Sequence, residues 1–272
     1  MRMLACVDLR RKEPEFVVDE AAWYARRAHA TVDLLFVEPS GTPAPGNTEA
    51  LQQLLARIGP EQRGKVIHPT GSPVDVIVEY SSKFDLVVVG PREPGPVERM
   101  LLGSIAARVV RQARAPILVV RTRAEDQSKS LRVLVAVDLQ QPQPLVDHAV
   151  SWAQRFDAVI DLIHVDSVQL PQIGDTTLRG RLEKEREQYR RRDQAHLERL
   201  LAAAPHEHRG SARLADGEHG PTINAYAEDY DAVILGSHGR RGVARLVLGS
   251  VAETVVRGAD TSVLVFPPPV EG

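Results

Sequence analysis

The chain contains one unit twice, and this repetition limits the folds open to it more than any other feature. Residues 99–111 (RMLLGSIAARVVR) read against residues 245–257 (RLVLGSVAETVVR), and residues 117–120 (ILVV) against residues 263–266 (VLVF). Upstream, residues 3–9 (MLACVDL) match residues 133–139 (VLVAVDL), and residues 32–37 (VDLLFV) match residues 160–165 (IDLIHV). Repeats of this length are whole domains rather than solenoid turns, and 272 residues suffice for two domains of ordinary size. Residues 122–130 are polar and carry no core positions. The expected organisation is therefore a domain over 1–121, a linker over 122–130 and a second domain over 131–268.

Each copy alternates short β-branched runs with amphipathic segments. Strands are expected at about 2–8, 31–37, 65–68, 85–90 and 116–120, and again at about 131–138, 159–165, 211–215, 231–236 and 262–266. Helical spacing lies between them, as in Leu145, Ala149, Trp152, Ala153 and Phe156. Near-continuous apolar strands separated by helices imply a parallel sheet covered on both faces. With right-handed crossovers the fold class is α/β, doubly wound, with helices on both faces. A long charged helix is expected from Leu178 to Ala203, with pairs such as Glu187 and Arg191 on a solvated face. The segment from Pro39 to Gly46, rich in Pro and Gly, reads as a surface loop.

Bulk properties exclude several function classes. A formal net charge of -2 offers no global field for nucleic acid or a membrane surface, and 4% aromatic residues give little material for base stacking. The lone Cys6 excludes an intrachain disulfide, and its apolar strand setting suits a buried, inert thiol. No secretory h-region follows Met1, and no apolar run approaches about 18 residues. A cytoplasmic location, without membrane or nucleic-acid partners, is the expectation.

The strongest candidate site is Gly236-Ser237-His238-Gly239, followed nine residues later by Gly249-Ser250. It leaves an apolar strand and opens a helix. Glycine permits close backbone approach to a ligand and a positive φ, and a helix start offers unpaired N–H groups and a positive dipole end to a phosphate. The alternative is a tight turn without a ligand. Two weaker motifs carry less. Gly59 to Lys65 resembles a P-loop, but Val66 stands where a Mg²⁺-binding hydroxyl belongs, and the run enters a strand instead of a helix. His206 and His208 lie in a polar loop with no third metal ligand nearby.

The Gly-x2-Gly-x9-Gly-Ser pattern, an Asp ending the first strand, a second strand ending in Val and a last strand like ILVV together resemble the universal stress protein family. The resemblance covers nearly the whole chain as two tandem domains. It implies a five-stranded parallel sheet of order 3-2-1-4-5 in each, pairing of the domains through their last strands, and ATP binding in one subgroup. With that order, strands 1 and 4 are neighbours whose crossovers run to opposite faces, opening a crevice at their carboxyl ends. Carried over, Gly236, Gly239, Gly249 and Ser250 would hold ribose and phosphates. Asp138 and the backbone of Val165 would meet adenine, and Ser237, His238 and Arg240 lie within reach of ribose or phosphate. ATP is the implied ligand, with ADP and AMP as alternatives and with or without Mg²⁺.

The first copy departs from the pattern. Glu93 replaces the second glycine, and Pro94 and Pro96 stiffen the spacer and remove N–H donors, although Asp8, Gly90, Gly103 and Ser104 remain. It is expected to bind ATP poorly and to serve as a structural partner. Three functions stay open: an ATP-binding stress-response module, a weak Mg²⁺-dependent ATPase or phosphotransferase, and a nucleotide-free scaffold. Further association of two chains into a homodimer stays open as well.

Overall fold

The computed structural model describes residues 1–38, 44–90, 104–121, 129–167, 176–237 and 248–268. The first half runs β1 (Arg2–Cys6), α1 (Glu15–Ala28), β2 (Thr31–Leu35), α2 (Pro45–Ala56), β3 (Arg63–Ile67), α3 (Pro73–Ser81), β4 (Leu86–Val89), α4 (Ser104–Gln112) and β5 (Ile117–Val119). The second runs β6 (Leu131–Ala136), α5 (Gln143–Phe156), β7 (Ala158–Asp166), α6 (Thr176–Ala202), β8 (Arg209–Asp216), α7 (His219–Ala227), β9 (Ala232–Gly236), α8 (Ser250–Gly258) and β10 (Ser262–Phe266).

All ten strands form one sheet, in the order β3-β2-β1-β4-β5-β10-β9-β6-β7-β8. Within each half the neighbours are parallel. The halves join where β10 runs antiparallel to β5, with Val263 opposite Val119 and Val265 opposite Ile117. Two five-stranded sheets thus become one continuous sheet, and the last strands have no free edge.

Successive strand side chains alternate between two cores, as the pleat requires. Met3 and Ala5 join a core covered by α1, α2, α5 and α6. Leu4 faces the other core, covered by α3, α4, α7 and α8. The helices expected on both faces are therefore sorted by their order in the chain.

Several boundaries differ from expectation. The first strands end at Cys6 and Ala136, so Asp8 and Asp138 lie two residues beyond them. Strands β3 and β8 begin earlier, at Arg63 and Arg209, because Gly64 and Gly210 belong to them. A Cβ at Gly64 would lie 2.0 Å from Asp33 Oδ1, and one at Gly210 would lie 2.5 Å from Asp161 Oδ1. These glycines sit in strands because a buried carboxylate from the adjacent strand fills their side-chain space. Pro45 and Gly46 open α2 instead of closing a loop, since proline fits a first helical turn. Residues 39–43 and 122–128 lie outside the described residues. Residues 59–62 turn into β3, and His206–His208 form a single 3-10 turn in which His208 Nδ1 donates to the Ala158 carbonyl at 2.8 Å. Cys6 is half-buried, and desolvation pushes its thiol far above the usual range.

Candidate nucleotide-binding crevice

Strands β6 and β9 are parallel neighbours, with Val135 opposite Ile234. From β6 the chain crosses through α5 on one face, and from β9 it crosses through α8 on the other. In open α/β sheets such a divergence marks the carboxyl ends of the two strands as the place where ligands bind. Asp138, Gly236, Ser237, Gly249 and Ser250 belong to these ends, with Val165 near the end of the adjacent β7. His238, Gly239 and Arg240 lie outside the described residues.

Local hydrogen bonds fix the floor of the crevice. Ser237 is buried; its amide donates to the Phe266 carbonyl at 2.8 Å, and its carbonyl accepts from the Gly249 amide at 2.8 Å. The first intrahelical bond of α8 then runs from the Glu253 amide to the Gly249 carbonyl, at 2.8 Å. The Gly249 N–H is thus consumed inside the protein. The donors this helix start offers are the first-turn amides of Ser250, Val251 and Ala252.

The conformational reason for glycine also changes. Gly249 has φ -58° and Gly236 is in a strand, so neither uses a positive φ. Among the described residues the glycines with positive φ are Gly71 and Gly217, at 144° and 141°. They occupy matching turns after β3 and β8. There the Gly71 amide donates to the Glu38 carbonyl at 2.9 Å, and the Gly217 amide donates to the Asp166 carbonyl at 3.0 Å. No motif in the sequence marks these turns; the duplication itself was the available signal, since Gly71 and Gly217 align between the copies.

The two halves differ most at the aspartate beyond the first strand. Asp8 is clamped by Arg10, with Nε–Oδ1 at 2.8 Å and Nη2–Oδ2 at 3.1 Å. Burial pushes the Asp8 carboxyl up, but the Arg10 bonds outweigh it and hold the group below its ordinary value. A Cβ on Gly90 would lie 2.6 Å from Val17 Cγ2 and 3.7 Å from an Arg11 guanidinium nitrogen. The first half therefore fills this region with its own arginines. In the second half Gln140 and Gln141 replace Arg10 and Arg11. Asp138 accepts the Gln140 amide at 3.0 Å, and among the described residues no cation pairs with it.

His164 also reaches this end of the sheet. Its Nδ1 lies 2.9 Å from the Val137 carbonyl, which can only accept, so Nδ1 carries the proton. Phe36 occupies the matching place in the first half, and that contrast was the signal for His164 in the sequence. Nearby, Arg186 and Arg190 of α6 converge on Asp216 Oδ1, and Arg186 also lies 3.9 Å from Asp166. The charged helix is therefore anchored at the sheet's carboxyl edge and is not only a solvated face. The Glu187–Arg191 pair expected on it forms at 2.9 Å.

The model of the universal stress protein family matches residues 1–121 and 130–267. A universal stress protein of Mycolicibacterium smegmatis is 28% identical over 201 residues, covering 71% of this chain and 65% of that protein. The chain thus spans just under two thirds of that curated relative. A universal stress protein structure from Archaeoglobus fulgidus superposes with a TM-score of 0.69 at 21% identity, covering 98% of each chain. A functionally unknown protein from Pseudomonas aeruginosa superposes at 0.74 with 18% identity, covering 97% of this chain and 92% of its own. The latter two establish likeness of fold. With both halves matched by the family model, this chain belongs to the universal stress protein family.

Proposed function

We propose that the chain is an ATP-binding module of the stress response. The nucleotide lies in the second half, and the first half serves as a structural partner. The observation that carries this reading is the contrast at the first-strand aspartates. Asp8 is neutralised by Arg10, whereas Asp138 presents its carboxylate beside a crevice that also meets the start of α8. The fit is chemical: a hydrogen-bond acceptor suits the exocyclic amine of adenine, and first-turn amides suit a phosphate. Asp138 and the Val165 backbone would hold the base. Gly236, Ser237, His238, Gly239, Arg240, Gly249 and Ser250 would line the path to ribose and phosphates. ADP and AMP share the base and would occupy the same end, and Mg²⁺ would accompany only the polyphosphate.

The test is thermal stabilisation by ATP in the full chain. The parent protein should gain about 2.7 kcal/mol at about 100 times Kd. Gly239→Glu, which copies Glu93 of the first half, should remove that gain while leaving the ligand-free transition unchanged. Equal stabilisation of both proteins would leave the nucleotide-free scaffold as the better reading. Mass spectrometry of molecules released on denaturation would identify the bound nucleotide.

A further inference from the structure

The turn that carries the aspartate after the first strand is anchored differently in the two halves. Part of the frame is shared. The Val7 amide donates to the Leu35 carbonyl and the Val137 amide to the Ile163 carbonyl, each at 2.9 Å. The carboxylates of Asp8 and Asp138 accept the amides of Arg10 and Gln140, at 3.2 and 3.0 Å. To this frame the first half adds the Arg10 side chain, which fixes Asp8 by neutralising it. The second half adds a bond to the main chain instead. His164 Nδ1 donates to the Val137 carbonyl at 2.9 Å, and Phe36 at the matching place has no group that can do so.

The Val137 carbonyl and the Asp138 amide belong to one planar peptide unit. Holding that plane from β7 limits the directions in which Asp138 can leave the chain, and it does so without occupying the carboxylate. The imidazole is available for this because its neighbours have changed between the copies. In the first half Phe36 is buried with its ring 5.3 Å from that of His68, whose Nε2 lies 3.3 Å from Glu38. In the second half Leu214 of β8 stands opposite His164 and offers no hydrogen bond. Among the described residues the Val137 carbonyl is the imidazole's one hydrogen-bond partner.

We infer that His164 is a positioning residue for base selection: by holding the Val137–Asp138 peptide it keeps the Asp138 carboxylate aimed to accept a hydrogen bond from the exocyclic amine of a purine. This role rests on the reading of the carboxyl ends of β6 and β9 as an adenine-nucleotide site. It adds the residue that makes such a site choose an amine-bearing base. A purine without that amine leaves the carboxylate lacking its donor and forgoes a charge-assisted bond.

Calorimetric titration of the full chain with ATP and with purine riboside 5′-triphosphate, which differs from ATP in lacking the amine, tests this role. The parent protein should bind ATP about tenfold more tightly than the analogue. His164→Phe, which copies Phe36, should bring that ratio close to one and leave the affinity for the analogue unchanged. His164→Asn, whose Nδ2 takes the place of Nδ1, should keep the preference, which a general loss of packing would not allow. If His164→Phe does not fold, as judged by circular dichroism, His164→Leu carries the same comparison. An unchanged ratio in folded His164→Phe or His164→Leu, or loss of the preference in His164→Asn as well, overturns the role of His164 and leaves the nucleotide site standing. A parent that binds both triphosphates alike overturns the reading of the amine by Asp138, and the role with it. A parent that binds neither overturns the nucleotide site itself.

Discussion

Asp33 and Asp161 show what a single buried carboxylate does for this fold. Asp161 is 3% exposed and receives the Ser211 hydroxyl and amide, with Arg132 at 3.1 Å. Asp33 repeats the arrangement with Arg2 at 2.9 Å and the Lys65 amide at 3.0 Å. Burial pushes the Asp161 carboxyl up, but the Ser211 bonds and Arg132 reverse this and hold it below its ordinary value. Its stabilising contribution is therefore present above the unfolded-state value and lost as pH falls through the lower folded value. Asp161→Asn should cost about 1.5–3 kcal/mol at neutral pH. Urea midpoints across pH should show a shallower acid loss for the variant below about pH 4; parallel curves would mean that Asp161 does not carry that loss. At the other end of the sheet, Gln140→Arg should give Asp138 the partner that Asp8 has and weaken ATP binding about tenfold, or 1.4 kcal/mol. Unchanged affinity would remove Asp138 from the adenine end. Asp8 and Asp138 were legible as residues at the carboxyl ends of the first strands, although those strands stop two residues earlier. The clamp by Arg10 was not, because an arginine two residues away can point anywhere until the turn is built.

At the scale of elements, the helices were legible because their apolar faces recur at helical spacing, and β3 and β8 were the least legible strands. Both lie at the ends of the sheet and carry arginine and glycine where a buried strand would be apolar. The reason for those glycines is a carboxylate on the neighbouring strand, which lies far away in sequence. The glycine-rich motif was legible as a strand–loop–helix junction, yet the use of the Gly249 amide by Ser237 is a tertiary fact. The α1–α5 seam shows the same division. Tyr24 and Trp152 read as core positions of separate helices, but they face one another, with ring centroids 6.1 Å apart. Tyr24→Ala would empty a site that is 3% exposed and is expected to cost about 3–5 kcal/mol. A loss below about 1 kcal/mol in urea titration would show that the seam contributes little.

For the molecule as a whole, the joined sheet predicts that the halves unfold together. The β5–β10 ladder, the aromatic cluster of α1 and α5, and the Arg111–Glu253 pair at 3.0 Å all cross between them. Scanning calorimetry should therefore give one transition whose calorimetric and van't Hoff enthalpies agree. Two resolved transitions would show halves coupled too weakly for this architecture. Among the described residues no helix is long and apolar enough to cross a membrane.

By itself the sequence determined the duplication, the α/β alternation and the place of the glycine-rich junction, because periodicity and punctuation are local properties of a chain. Which arginine neutralises which aspartate and which amide is already taken were decided only by the tertiary structure. Those outcomes depend on groups that meet only once the chain is folded, where sequence separation carries little information about distance.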